Sequence, residues 1–419
     1  MDKSVVATQV IESLRKGIPP QRGTELYTVG HERLIEGIRR HHLNKIDTEG
    51  KIRFISGSWG AGKTHFFRLL REVGFQQNCL VSDVELELDS AVLNKFQTVF
   101  YAIVRNIVTP SLYTEGGIVE AAPFGRVVRE SLTYLATGTH AIEEGIPHEY
   151  YAKAREALMS DRSIDIDFKK MIQKYWETFL PEAPDRAVQE QERAEILQWF
   201  SGEGTVGYFR KRFGVNKVVS KDNAKLLLQS LAGFVRLSGY KGLLILFDEA
   251  EQSYSLMRKS QLRDAHNNLL SLINEDLPGL FLVYATTPDF YTDPKHGIVI
   301  YGALVERIGL PEKRSPRALD KVWNLDAVIT DLSAYQHAAR RIRSIYSDAY
   351  PESVAMLPNE QKVDEFVEEL LRIHPELSAV RFWRVLVTAL VAHFDDHAEG
   401  EIRSTTQVHK DVMERLKES

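Results

Sequence analysis

Cysteine is nearly absent from this chain of 419 residues, which contains only Cys79. A single cysteine forms neither a disulfide within the chain nor a zinc site made of several cysteines. Long apolar runs are missing too, since no stretch approaches the roughly 18 apolar residues of a membrane helix. The first residues, MDKSVVATQVIESLRKG, lack the apolar core of a signal peptide. We therefore expect a cytoplasmic protein with no membrane partner.

The chain also lacks a strong charge of either sign. Its 53 Lys and Arg against 58 Asp and Glu give a formal net charge of −5. This mild imbalance does not attract nucleic acid over the whole surface, so a DNA contact would require a local basic patch. The run of Arg340, Arg341 and Arg343 is of the kind that usually lies on a solvated helix face.

Several apolar runs predict strands of one sheet. Residues 51–56 predict a strand that enters a glycine-rich loop, and residues 64–73 have the spacing of a helix. Further strands are predicted at residues 80–88, 242–247 and 279–285, and the last two are almost continuously apolar. Such runs are typical of parallel strands that are buried on both faces. The sequence therefore predicts an α/β fold with a parallel sheet.

Helical patterns fill most of the remaining chain. Residues 1–50 predict N-terminal helices and a linker, and residues 51–314 predict the core that contains the sheet. Within this core, a large helical insertion is predicted at about residues 91–236. Residues 315–419 pattern entirely as helix, which predicts a separate C-terminal helical lid.

The glycine-rich loop carries the clearest chemical signal. It matches G-x-x-x-x-G-K-[ST], a loop whose backbone N–H groups wrap phosphates at a helix N-terminus. Lys63 would reach the β and γ phosphates, and the Thr64 hydroxyl would ligate Mg²⁺. A glycine turn with an incidental lysine is the alternative, and the position between a strand and a helix argues against it. The candidate nucleotide-binding residues here are Gly57, Ser58, Trp59, Gly60, Ala61, Gly62, Lys63, Thr64 and His65.

Polar side chains follow two of the buried strands. Asp248 would hold Mg²⁺ through its water shell, and Glu249 would polarise the water that attacks the γ-phosphate. Two solvated acids that cap the following helix are the alternative, which the phosphate loop makes the weaker interpretation. Thr286 ends the next strand, where it would either touch the γ-phosphate or its water, or cap the turn before Pro288.

The expected nucleotide is ATP, bound with Mg²⁺. The guanine signature N-K-x-D does occur, at residues 44–47. A guanine-binding loop follows a late strand of the sheet, whereas this sequence precedes the phosphate loop. Adenine is therefore the favoured base.

Taken together, these motifs resemble AAA+ P-loop ATPases of the origin-recognition/Cdc6-like branch. They resemble more closely the ATP-binding proteins of bacterial BREX phage-resistance systems, of the BrxD type. The resemblance covers most of the chain and is carried by VIESLRKGIPP at 10–20, YTVGHERLIEGI at 27–38, FISGSWGAGKTHFFRLL, SGYKGLLILFDEAEQ at 238–252, NNLLSLINEDLPGL and FLVYATTPDF.

The resemblance implies further site residues. Three residues would lie beside the adenine, namely Tyr27, Val29 and Gly30. Arg307, near the last strand, would act as a finger on the nucleotide of a neighbouring subunit. Arg381 would be the sensor arginine of the lid, but Val380 stands where the family usually has proline, so Arg384 is the substitute.

The resemblance also implies an ATPase that forms an ATP-dependent homo-oligomer and works with other proteins of an antiphage defence system on DNA. Origin-recognition relatives carry a winged-helix DNA-binding domain beyond the lid, and the roughly 35 residues after Arg384 are too few for one. We expect DNA to be contacted by the helical insertion or through partner proteins. The alternative is a slow nucleotide-gated scaffold or switch with little turnover, which would use the same pocket.

Overall fold

Six strands form one sheet at the centre of the protein in a computed structural model, which describes residues 3–86, 91–115, 123–140, 146–181, 185–248, 257–328, 330–375 and 381–418. The strands are β1 (Lys51–Ser56), β2 (Leu80–Glu85), β3 (Ile107–Val108), β4 (Leu243–Asp248), β5 (Leu280–Thr286) and β6 (Val322–Asn324). Their order is β3-β2-β4-β5-β1-β6, and every neighbouring pair is parallel except β2 and β3. The predicted α/β class with a mostly parallel sheet is confirmed.

Both faces of this sheet are covered, which explains the continuous apolar runs of β4 and β5. In β4, Leu243, Ile245 and Phe247 belong to one core, whereas Leu244 and Leu246 belong to a second core on the opposite face. All five side chains are at most 1% exposed. Burial of one such side chain stabilises the fold by about 1.5–3 kcal/mol. The strands that lead to the site are therefore rigidly held.

Helices from different parts of the chain cover the two faces. The helices Glu32–His41 and Lys63–Gln76 pack on the face that contains Leu244. The helix Lys259–Asn274 and the insertion pack on the other face. The insertion helices are Phe96–Arg105, Pro110–Glu115, Pro123–Thr137, His148–Ser160, Ile166–Glu177, Arg186–Ser201, Val206–Phe213 and Ala224–Leu237.

One expectation within the insertion is wrong. The predicted insertion at about residues 91–236 is not helical throughout, because the helix Phe96–Arg105 is followed by residues 107–108, which form β3. Ile107 and Val108 pair antiparallel with β2 at the edge of the sheet. β-Branched side chains favour such extended backbone over a helix.

The expectation that residues 315–419 are entirely helical is also wrong. Residues 322–324 form β6, which pairs in parallel with β1 and buries Trp323 completely. A strand of three residues is too short to produce a periodic pattern. Four helices after β6 pack around a separate third core, and we refer to them as the lid: Leu332–Ala349, Glu360–Ile373, Phe382–Glu399 and Thr405–Glu418.

The first helix, Lys3–Arg15, packs with the lid rather than with the sheet. Its residues Val10 and Ile11 are completely buried in the lid core. Arg15 donates two hydrogen bonds, of 2.9 and 2.8 Å, to the two carboxylate oxygens of Asp395 in the lid. The chain thus begins in the lid, crosses to the sheet and returns to the lid at its other end. Among all the helices that the structure describes, none is long and apolar enough to cross a membrane.

Candidate functional site

The sheet topology brings several strand ends to one edge. In β1, Ser56 is in register with Thr286 of β5 on one side and with Asn324 of β6 on the other. Asp248 ends β4, which pairs in parallel with β5. Ligands of open parallel sheets bind at this carboxyl edge. The carboxyl ends of β1, β4, β5 and β6 therefore lie along one edge of the sheet.

The glycine-rich loop after β1 has the backbone shape that a phosphate cradle requires. Gly60 and Gly62 have φ angles of +76° and +89°, in the left-handed region that side chains disfavour. A Cβ added to Gly62 would have no described heavy atom within 4 Å, so the loop is open there. The helix begins at Lys63. Its first N–H groups and its dipole favour an anion at this end.

Lys63 and Trp59 lie next to each other at the glycine-rich loop. The Lys63 ammonium donates a 2.9 Å hydrogen bond to the Gly57 carbonyl and lies 5.4 Å from the centre of the Trp59 ring. The Trp59 side chain is 65% exposed. Most of the Trp59 ring is therefore in contact with solvent, and the rest of its surroundings include the Lys63 ammonium.

Thr64 and Asp248 lie next to each other, although 184 residues separate them in the sequence. The Thr64 hydroxyl donates to Oδ2 of Asp248 over 3.3 Å. A hydroxyl and a carboxylate are oxygen ligands of the kind that Mg²⁺ prefers, and this pair fits an ion whose other ligands are phosphate and water. The described residues contain no cluster of three or more His, Cys, Asp or Glu that could hold a metal by itself. Glu249, the proposed water-polarising residue, lies outside the described residues.

Thr286 lies at the expected strand end, but its hydroxyl points into the protein. It is completely buried and donates a 2.7 Å hydrogen bond to the Ile55 carbonyl of β1. Its oxygen also lies 3.0 Å from the hydroxyl oxygen of Tyr291. The Thr286 carbonyl accepts from the backbone N–H of Gly57 over 3.1 Å. In this geometry Thr286 supports the start of the phosphate loop, and a contact with nucleotide would require its hydroxyl to change partners.

The segment before the first core helix is held against the phosphate-loop helix by His65. The Tyr27 hydroxyl lies 3.2 Å from Nδ1 of His65, and the Thr28 hydroxyl lies 2.9 Å from Nε2. The Thr28 hydroxyl also donates to the Thr24 carbonyl, so Nε2 of His65 is the donor to Thr28. Burial lowers the pKa of His65 to about 3, which keeps the ring neutral. His65 thus orients Tyr27 and the backbone that follows.

Two neighbouring residues complete this side of the site. Val29 is 8% exposed, and Gly30 has a φ of +83° with open space where a Cβ would lie. From the lid, Arg341 donates a 2.6 Å hydrogen bond to the Thr28 carbonyl. Arg341 is therefore not a solvated helix residue, contrary to expectation. This contact depends on packing between two segments that are distant in the sequence, so the residues around Arg341 do not predict it.

On the phosphate side, the lid contributes Arg381. A Cβ added to Gly60 would lie 2.8 Å from Cγ of Arg381, so this side chain lies directly over the loop. Arg384, the substitute, instead donates from Nε to the Gly17 carbonyl over 3.1 Å, beside the first helix. Sequence reasoning missed Asp326, which follows β6 and contacts both the loop and Arg381. The sequence pattern does not reveal β6, and without β6 it gives no reason to place Asp326 at this edge of the sheet.

Comparison with protein families agrees with this arrangement. A family model described as BREX system ATP-binding protein BrxC/D matches residues 3–409. The chain belongs to the BrxC/D family. No individually curated protein matches it significantly. The family description names ATP as the ligand, and the match extends from the first helix through the sheet to the last helix of the lid.

Arg307 of this BrxC/D protein is not at a strand end. It lies in the short helix Gly302–Ile308, between β5 and β6. Leu304 and Ile308 of this helix are four residues apart, and both are buried in the core on the face of the sheet that contains Leu243. The side chain of Arg307 is exposed and forms no ion pair with any described residue, while its carbonyl accepts from Lys321 over 2.7 Å. The Arg307 side chain is thus on the surface of the protein.

Proposed function

We propose that this BrxC/D family protein is an AAA+ ATPase that binds and hydrolyses Mg-ATP. Its nucleotide state would control the assembly or action of a DNA-directed complex in a cytoplasmic antiphage BREX system. The observation that carries this proposal is the contact between Thr64 and Asp248 beside an open glycine loop at a helix N-terminus. Few sites other than those for a nucleoside triphosphate require a phosphate cradle and a hydroxyl–carboxylate pair at the same edge of a sheet.

Each residue has a distinct role in this proposal. The backbone N–H groups of the loop bind the phosphates, and the Lys63 ammonium leaves the Gly57 carbonyl to contact them. Thr64 and Asp248 would hold the Mg²⁺. Bound Mg²⁺ neutralises phosphate charge as it develops during transfer. Tyr27, Val29 and Gly30 would lie beside the adenine, with His65 as their support.

We assign the activation of water to Glu249, which follows Asp248 directly in the sequence. A carboxylate beside the metal ligand is suited to orient and polarise the attacking water. Thr286 is a supporting residue in this scheme, since its hydroxyl already bonds to Ile55. Arg381 would contact the phosphates of its own chain from the lid.

The assembly is proposed to be an ATP-dependent homo-oligomer that acts with other BREX proteins. Arg307 is exposed and forms no ion pair with any residue in the described part of the chain. Such an arginine is suited to stabilise transition-state charge in a neighbouring subunit. DNA would be contacted by the helical insertion or through partners.

Steady-state phosphate release, measured with and without double-stranded DNA, tests this function. An ATPase that acts in a DNA-directed complex should release many phosphates per subunit, and its rate should change when DNA is added. A nucleotide-gated switch, the alternative function, should stall near one turnover. Glu249→Gln should reduce the release rate by about a hundredfold or more, the scale of general-base catalysis. A Glu249→Gln rate equal to that of the wild type would remove Glu249 from the mechanism.

A further inference from the structure

Asp326 lies between the phosphate loop and the lid. It follows β6 in the short turn Leu325–Ala327, and β6 pairs with β1 so that Asn324 is in register with Ser56. Asn324 fixes this turn, because its side-chain oxygen accepts from the backbone N–H of Asp326 over 3.1 Å. The pairing of β1 with β6 therefore places the Asp326 carboxylate beside the residue that follows Gly57.

The two carboxylate oxygens of Asp326 have different partners. Oδ2 accepts from the backbone N–H of Ser58 over 2.8 Å and from its hydroxyl over 2.7 Å. Oδ1 lies 3.7 Å from a guanidinium nitrogen of Arg381. The first contact is a pair of good hydrogen bonds, whereas the second is a loose ion pair. The Arg381 side chain is 51% exposed, so its surroundings leave room for the guanidinium to take another partner.

We propose that Asp326 is a positioning residue that couples the lid to the phosphate loop by competing with nucleotide phosphates for Arg381. This inference rests on the proposed function. Ser58 keeps Asp326 fixed to the loop, so the partner that changes is Arg381. The phosphates of ATP carry more negative charge than one carboxylate and attract Arg381 away from Asp326. When the phosphates dissociate, Arg381 pairs with Asp326 again. The position of the lid therefore depends on whether the loop holds a nucleotide.

If Asp326 competes with the phosphates for Arg381, removing its charge should strengthen nucleotide binding, which loss of structural support would not do. In Asp326→Asn, the side-chain oxygen still accepts from Ser58, but the negative charge that holds Arg381 is gone. Binding of the slowly hydrolysed analogue AMP-PNP with Mg²⁺ should therefore become tighter. We expect a gain of about two- to fivefold, the range that a half-exposed ion pair is worth. If Asp326 only shaped the loop, Asp326→Asn would leave binding unchanged or weaken it.

A double-mutant cycle tests the coupling. Dissociation constants for AMP-PNP are measured by titration calorimetry for the wild type, Asp326→Asn, Arg381→Ala and the double variant. The matched control is Asp364→Asn, which removes a carboxylate from an ion pair with Arg340 on the lid surface. We expect the control to bind like the wild type. The gain from Asp326→Asn should disappear when Arg381 is absent.

The outcomes separate this inference from the proposed function. Tighter binding by Asp326→Asn that depends on Arg381 supports the coupling. Weaker or unchanged binding, or an equal gain with and without Arg381, overturns the coupling while ATP binding stands. If the wild type and Lys63→Ala bind AMP-PNP equally, the nucleotide site itself is wrong, and the coupling falls with it.

Discussion

At the scale of single residues, the contact between Thr64 and Asp248 is the most informative feature. Each residue could be predicted from its motif, because the glycine pattern and the carboxylate after an apolar strand are local signals. Their contact over 3.3 Å is what makes them one site. Asp326 and Arg341 could not be predicted, since each reaches the site through packing between segments that are distant in the sequence.

The Thr64 hydroxyl leads to a prediction about Mg²⁺. Wild-type protein should bind ATP more tightly with Mg²⁺ than in the presence of EDTA. Thr64→Ala removes one proposed ligand, so this difference should shrink about tenfold or more, the effect of losing a hydrogen bond or ligand to a charged group. Fluorescence titration of a labelled ATP analogue measures both affinities.

Thr114→Ala is the control for this prediction. Its exposed hydroxyl donates to the Pro110 carbonyl and to no other described residue, in an insertion helix that follows β3 away from the carboxyl edge of the sheet. The control should retain the full Mg²⁺ effect. A full Mg²⁺ effect in Thr64→Ala would exclude its hydroxyl as a ligand.

At the scale of elements, long periodic segments were predictable and short ones were not. The helix Lys63–Gln76 and the strands β4 and β5 match their patterns within a few residues. The strands β3 and β6 contain two and three residues, so their extended backbone comes from pairing with β2 and β1 and not from local periodicity. Missing β6 also hid Asp326, which follows it.

The first helix gives a prediction about stability. Ile11 is completely buried in the lid core, whereas Val5 of the same helix is 50% exposed. Ile11→Ala should lower the free energy of unfolding by about 2–5 kcal/mol, because it leaves a cavity. Val5→Ala should change it by less than about 0.5 kcal/mol. Urea unfolding of the two variants measures the difference, and equal losses would mean that the helix does not pack into the lid.

At the scale of the whole molecule, the first and last helices both pack in the lid. The first helix and the last helix belong to one core, and Arg15 joins Asp395 across it. From this lid, Arg341 contacts Thr28 on the proposed adenine side of the site, and Arg381 lies over Gly60 on the proposed phosphate side. A change in lid position would therefore alter both sides of the nucleotide site together.

The exposed position of Arg307 predicts complementation between subunits. Arg307→Ala protein should bind ATP normally but hydrolyse it poorly in a homogeneous assembly, because in the proposed oligomer this arginine serves the nucleotide of a neighbour. Mixing it with Lys63→Ala protein, which presents Arg307 but lacks the phosphate contact, should restore part of the phosphate release. The same mixture with Arg381→Ala should restore nothing, since that defect lies in the subunit that holds ATP. Rescue of neither variant would indicate a protein that works as a monomer.

The measurement that tests the account most directly is equilibrium ATP binding by the wild type, Lys63→Ala and Glu249→Gln. Lys63→Ala removes the main cationic contact to the phosphates and should bind about tenfold to a hundredfold more weakly, as expected for a charged hydrogen bond. Glu249→Gln should bind like the wild type, because its carboxylate acts on water and not on the ground-state nucleotide. Equal binding by Lys63→Ala and the wild type would contradict the assignment of the loop at residues 57–64 as the ATP site.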